Sequence, residues 1–225
     1  MRKRLRFPQT FKKSFMAHIV LLGDSVFDNK RYVGSEFDVT EHLRTMIPQN
    51  WQASLKAVDG NVVENVSRQM REIPDDATYL IVSIGGNDAL MNADVLQMSA
   101  NSAAEVLSVL ANQAKSFESG YEKMLETILR RNLPAAVCTI YYPNFPNDSL
   151  QKIAVASLSI FNDAIIRQAI RSGVSVLDLR LICNEKNDYA NEIEPSGKGG
   201  KKIAAKILEL IAAHDFSSQR TQIFS

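Results

Sequence analysis

The sequence predicts an α/β protein: a three-layer α/β/α sandwich built on a five-stranded parallel sheet. Three observations carry this expectation. Short apolar runs rich in Val, Ile and Leu alternate along the chain with longer segments of helical periodicity. The first run, Ile19-Val20-Leu21-Leu22, is apolar throughout, which suits a strand buried on both faces in a parallel sheet. Three of the runs end in small or polar residues, at Gly23-Asp24-Ser25, Asp59-Gly60 and Gly86-Asn87-Asp88. Ligands of open α/β sheets bind just beyond such strand ends.

Taken in order, the first strand is Ile19-Val20-Leu21-Leu22, which runs into Gly23. Gly23 permits a tight turn, and the acid and hydroxyl after it can bond freed backbone amides. Ser25 sits where a nucleophile would sit; the plainer reading is that it only caps the next helix. After a polar, aromatic loop, helical spacing of Val39, Leu43, Met46 and Ile47 predicts a helix that starts near Thr40 and ends at Pro48. A second strand over 53–58 closes at Asp59-Gly60. A helix over about 62–73 follows, with Val62, Val66, Gln69 and Met70 along one face. The third strand, 79–84, leads into Gly85-Gly86-Asn87-Asp88. A long helix over about 103–131 comes next, in which Gly120 is a candidate kink costing roughly 1 kcal/mol against alanine. A fourth strand (135–141), a helix (149–171) ended by Gly173, a fifth strand (174–179), a polar loop (184–195) and a last helix (197–213) complete the pattern. Residues 16–216 thus read as one domain, 1–15 as a basic flexible arm and 217–225 as a frayed tail.

The chain's 225 residues suffice for one sizeable core. Its 45% hydrophobic and 23% charged content is ordinary for a globular protein. No apolar run approaches the 18 or so residues of a membrane span, so none is expected. Cys138 and Cys183 lie in or beside apolar stretches and read as buried thiols, which fits a reducing compartment and a cytoplasmic location. The net charge of +1 hides an asymmetry: residues 1–15 carry six cations and no acid, and the rest holds 20 basic against 25 acidic residues. A body of that sign argues against a nucleic-acid surface. The arm lacks the apolar core of a signal peptide and is expected to be dispensable, with Met16 an alternative start.

Acyl transfer needs a nucleophile and donors aimed at the oxyanion that forms. Ser25 supplies a hydroxyl and its own backbone amide, Gly60 lets a backbone amide approach a substrate, and Asn87 offers a side-chain amide. These blocks, with a fourth near Glu194-Pro195-Ser196 and Gly199-Gly200, make the chain resemble the SGNH (GDSL-type) hydrolases over nearly all of 18–213. The resemblance implies a flavodoxin-like three-layer fold. It implies hydrolysis of a small-molecule ester, thioester or acetyl substrate through an acyl-serine, with Ser25 as nucleophile. Ser25, Gly60 and Asn87 would form the oxyanion hole. No cofactor or metal is expected, since the acids Glu185, Asp188 and Glu192 match no known metal-loop spacing.

The fourth block departs from the family pattern, in which Asp-x-x-His supplies the base and its orienter. Here Glu194 stands at the histidine position and Asn191 at the aspartate position. The joint replacement is coherent. A carboxylate base would be repelled by a second carboxylate, whereas an asparagine amide can donate to it. An ordinary glutamate has a pKa of about 4.3, so burial or neighbouring acids must raise it. His18, His42 and His214 read as structural or solvated, with His42 and Asp188 the alternative bases. The rival reading is a binding protein that kept the fold and pocket but lost turnover. Aromatic and apolar residues in the loops over 28–36, 90–100 and 141–148 suit an apolar leaving group or a short acyl chain.

Overall fold

A computed structural model describes residues 16–218 and 220–225; the basic arm lies outside the described residues. The strands are β1 (His18–Gly23), β2 (Gln52–Leu55), β3 (Tyr79–Ser83), β4 (Ala135–Cys138), β5 (Ser175–Leu177) and β6 (Ile223–Phe224). They pair in parallel in the order β2-β1-β3-β4-β5-β6. The helices are α1 (Lys30–Val33), α2 (Val39–Met46), α3 (Val66–Gln69), α4 (Gly86–Met91), α5 (Ala103–Leu129), α6 (Asp148–Ser172), α7 (Leu179–Ile182) and α8 (Gly197–Ala213).

Successive side chains of a strand point to opposite faces, and β1 supplies both layers of the core. Ile19 and Leu21 pack with Val39, Leu43, Ile203 and Ile207 under α2 and α8. Val20 and Leu22 pack with Phe117, Tyr121, Ile128 and Ile165 under α5 and α6. That two-sided burial is why the run is apolar without alternation.

Several elements differ from the expectation. The sheet has six strands, not five. Ile223–Phe224 pairs with β5 inside the segment read as a tail, and two residues are too few to show a periodicity. The helix expected over 62–73 is a 3-10 turn, Val63–Asn65, followed by the single α-turn of α3. Pro74 disfavours helical backbone at Ile73. The start of α2 is capped by Asp38 rather than Thr40: Asp38 accepts the Glu41 amide and the Glu41 carboxylate accepts the Asp38 amide, a reciprocal cap. Gly120 does not interrupt α5. Among the described residues, α6 alone has the length and apolar composition of a membrane span. In this fold it is a core helix, with Phe161, Ala164 and Ile165 buried and Arg167 and Arg171 paired to Glu118 of α5 at 2.6 and 2.9 Å.

The end of β1 passes so close to β3 that only glycine fits. Gly23 has φ +127°, and a Cβ there would lie 1.7 Å from the Ser83 carbonyl oxygen. The next amide, of Asp24, donates to that same oxygen at 3.1 Å. Gly23→Ala should therefore combine left-handed backbone strain with overpacking and destabilise the fold by about 2–5 kcal/mol. A thermal melt should show a Tm lower by roughly 5–20 °C; an unchanged Tm would refute the close approach.

Candidate active site

The loop after β1 is held open by a side chain standing in for a strand. Gln69 is buried; its Oε1 accepts the Gly23 amide at 2.8 Å, and its Nε2 donates to the Gly23 carbonyl at 2.7 Å and to Asn61 Oδ1 at 2.9 Å. Beyond Gly23 the chain turns tightly: the Phe27 and Asp28 amides donate to the Asp24 carbonyl, and the Val26 amide to Asp24 Oδ1 at 3.1 Å. Ser25 rides on this turn, 9% exposed. Burial pushes the Asp24 pKa up to about 8, against the pull of the Val26 amide. Asp24 is thus mostly a neutral acid at pH 7.

The oxyanion candidates are tied to the same turn. Asn87 opens α4, and its Nδ2 donates one hydrogen to the Asn61 carbonyl at 2.9 Å, which orients the amide and leaves a second hydrogen for a ligand. Gly60, beside Asn61, has φ +82° and open space where a Cβ would stand. The Gly60 turn is joined to the nucleophile loop through Asp59, whose amide donates to Asp28 Oδ2 at 2.9 Å. Its carboxylate accepts from the Tyr32 hydroxyl at 2.9 Å and from Arg31 at 3.0 Å.

Glu194 is 5% exposed, on a loop fixed at several points. Buried Asn29 bridges that loop to the nucleophile loop, donating to the Pro195 carbonyl at 3.0 Å and accepting the Val39 amide at 3.2 Å. The Tyr141 hydroxyl donates to the Ile193 carbonyl. Asp188, fully buried, accepts the amides of Asn184 and Glu185 and is paired to Lys202 at 2.7 Å; those bonds commit it to the loop scaffold. Asn191 takes a different part from the one expected. Its Oδ1 accepts the Ile193 and Glu194 amides, both at 2.9 Å, so it sets the backbone rather than donating to the carboxylate.

The Glu194 carboxylate meets the Ser25 hydroxyl. Burial raises its pKa to about 7, the Ser25 hydrogen bond and Arg31 pull it down, and Asp59 pushes it up. Glu194 Oε2 is buried without a hydrogen-bond partner. The histidines lie elsewhere. His18 and His214 sit at the amino ends of β1 and β5, against Ser54 and Ser175 respectively, away from the strand ends that carry the site. His42 packs edge-on against Phe37 at 5.6 Å, and burial favours its neutral form.

Ser25, Asn87 and Glu194 line one cavity of about 200 Å³, otherwise mainly apolar. Gly60 is outside that lining; its neighbour Asn61 is bonded to Asn87, which is in it. Among the described residues no group of three or more His, Cys, Asp or Glu side chains is arranged to hold a metal ion.

The sequence profile of the GDSL-like lipase/acylhydrolase family matches residues 21–201. The chain belongs to that family. Solved structures similar in fold include an extracellular lipase from Streptomyces rimosus, with TM-score 0.62 and 17% identity, covering 88% of this chain and 100% of that one. A phospholipase A1 from Streptomyces albidoflavus NA297 has TM-score 0.61 and 16% identity, covering 88% and 99%. The carbohydrate acetylesterase Est24 from Sinorhizobium meliloti has TM-score 0.62 and 10% identity, covering 88% and 99%. No curated protein sequence matches the chain.

Two residues of this GDSL-type site escape a reading of its motifs. Gln69 falls on an apolar helix face, where a lone amide is the only signal that it serves another element. Asn29 ends the first motif and looks like an ordinary loop residue. Gln69→Leu keeps the bulk but leaves the Gly23 amide without a partner, while the Gly23 carbonyl keeps the Val58 amide at 3.1 Å. It should destabilise the fold by roughly 1–3 kcal/mol, the cost of one unsatisfied buried group. Denaturant unfolding measures this, and a change below 0.5 kcal/mol, within the ordinary range for a harmless substitution, would show that Gly23 is paired otherwise.

Proposed function

We propose that this GDSL-family chain is a serine ester hydrolase in which Glu194 takes the part usually given to histidine. The observation that carries the reading is a carboxylate shielded from water beside the Ser25 hydroxyl, with a pKa raised to about 7. A general base works best when its pKa lies near the operating pH.

In this mechanism ionised Glu194 accepts the Ser25 proton as the serine oxygen attacks the ester carbonyl carbon. The tetrahedral oxyanion is received by the free Asn87 amide hydrogen and by backbone amides at Ser25 and Gly60. Protonated Glu194 then gives its proton to the departing alkoxide, leaving an acyl-serine. Water attacks that ester with its proton going to Glu194, and the proton returns to Ser25 as the acid is released. Asp24, mostly neutral at pH 7, adds little negative charge against the ionised base, and Asn191 avoids the second carboxylate of the family pattern. Both features favour Glu194 ionising at neutral pH.

A fluorophosphonate probe should label Ser25, and Glu194→Gln should lower kcat by about 100- to 10,000-fold, the range for a positioned general base. Only the ionised form accepts a proton, so kcat/KM should rise with pH through about 7. Asp59→Asn removes a negative charge and should move that limb to lower pH; Arg31→Gln should move it higher. Asn87→Ala should lower kcat by on the order of 100-fold. Full activity in Glu194→Gln would end the carboxylate-base reading, and an unlabelled, inert Ser25 would favour the binding-protein alternative.

A further inference from the structure

The cavity beside Ser25 is larger and more apolar than ester chemistry alone requires. Leu96 lies before α5, Leu110 on it, Phe145 in the loop after β4, and Leu150, Leu158 and Phe161 on α6. Of these, Leu96 and Leu150 are 37% and 44% exposed, and Leu90, also in the lining, is 51% exposed. Apolar side chains that belong both to the cavity wall and to the surface make a hydrocarbon path from solvent to Ser25. Arg31, Tyr32 and Asp59 are different. None of them lines the cavity, yet Arg31 and Asp59 act electrostatically on Glu194. The nucleophile loop therefore joins two environments: an apolar cavity that Ser25 lines, and a charged cluster tied to that loop by the Asp59 amide on Asp28 Oδ2 at 2.9 Å, in which Arg31 is 72% exposed.

We propose that the cavity holds the acyl chain of the ester, about six to eight carbons long, and that the alcohol lies on the Arg31–Tyr32–Asp59 side. The assignment rests on the acyl-serine reading above and follows from its order of events. The alcohol must leave and water must enter while the acyl group stays bonded to Ser25. The group that departs first belongs on the hydrated, charged side, and the group that stays belongs in the apolar cavity. The charged cluster is also a poor surface for hydrocarbon, because covering it would strip water from Arg31 and Asp59. The size follows from the volume: at about 30 Å³ for a water-sized group, the ≈ 200 Å³ cavity takes on the order of seven heavy atoms. A longer chain would emerge along Leu90, Leu96 and Leu150.

Two isomeric esters separate the two orientations. Ethyl octanoate and octyl acetate share one formula and differ only in which side of the ester bears the chain. Wild-type kcat/KM should favour ethyl octanoate at least tenfold. Across ethyl esters from acetate to dodecanoate it should rise by about fourfold per buried methylene up to roughly eight carbons and then level off. Ala154, on α6 in the cavity lining, can be enlarged to leucine, the next-best helix former, at little cost in helix propensity; Ala154→Leu should lower the octanoate-to-acetate ratio at least tenfold. Equal or faster hydrolysis of octyl acetate, or a flat chain-length profile in an enzyme whose Ser25 still takes the fluorophosphonate, would overturn this assignment alone. No turnover of any ester together with an unlabelled Ser25 would overturn the hydrolase reading and this assignment with it.

Discussion

A carboxylate kept out of water beside a serine hydroxyl is the constraint that the loops of this protein serve. Desolvation disfavours the charged form of Glu194, and a free glutamate would be almost fully ionised and weakly basic at neutral pH. Holding the side chain in that state requires a loop that cannot open to solvent. The chain meets the requirement with bonds from four directions: Asn29 to the Pro195 carbonyl, Tyr141 to the Ile193 carbonyl, Asn191 to the Glu194 amide, and Lys202 to Asp188 at the loop's base. Asp24 contributes by remaining largely uncharged, since burial raises its pKa to about 8. Two ionised carboxylates at this spot would repel one another, and the more deeply buried one retains its proton.

The sheet decides which loops can meet there. β1 lies between β2 and β3, so the turns that carry Gly60 and Asn87 flank the one that carries Ser25. The tight passage of Gly23 over the Ser83 carbonyl draws the first and third of these ends together. Gln69 and Asn61 then link all three: Gln69 binds Gly23 and Asn61, and the Asn61 carbonyl receives the Asn87 amide. The Asn87 amide and the turns of Ser25 and Gly60 are thereby fixed relative to one another, the prepositioning on which the proposed oxyanion hole would draw.

Much of this is legible in the sequence, for identifiable reasons. The continuous apolar run of β1 records burial on both faces, and the regular spacing of 197–213 marks α8 with the bounds the structure has. Ser25, Gly60 and Asn87 stand out because small and polar residues at strand ends are costly to the core and useful to a ligand. Elements governed by single long-range contacts are not legible in the same way. β6 is two residues whose pairing depends on the distant β5. α3 is cut short where the helical spacing suggests continuation, and its Gln69 answers to Gly23, 46 residues away. Asn191 shows the same limit within the site: its position was readable, but only the loop's geometry shows that its oxygen faces backbone amides and its nitrogen does not hold Glu194.

The central claim is that burial beside Ser25 makes Glu194 a base suited to neutral pH. Carbon-13 NMR of the side-chain carboxyls tests it most directly, with the Glu194 resonance identified by its loss in Glu194→Gln. The account predicts a titration near pH 7. A midpoint near the ordinary glutamate value of about 4.3 would contradict it, because a carboxylate that ionises so readily is in contact with water and is too weak a base to share the serine proton.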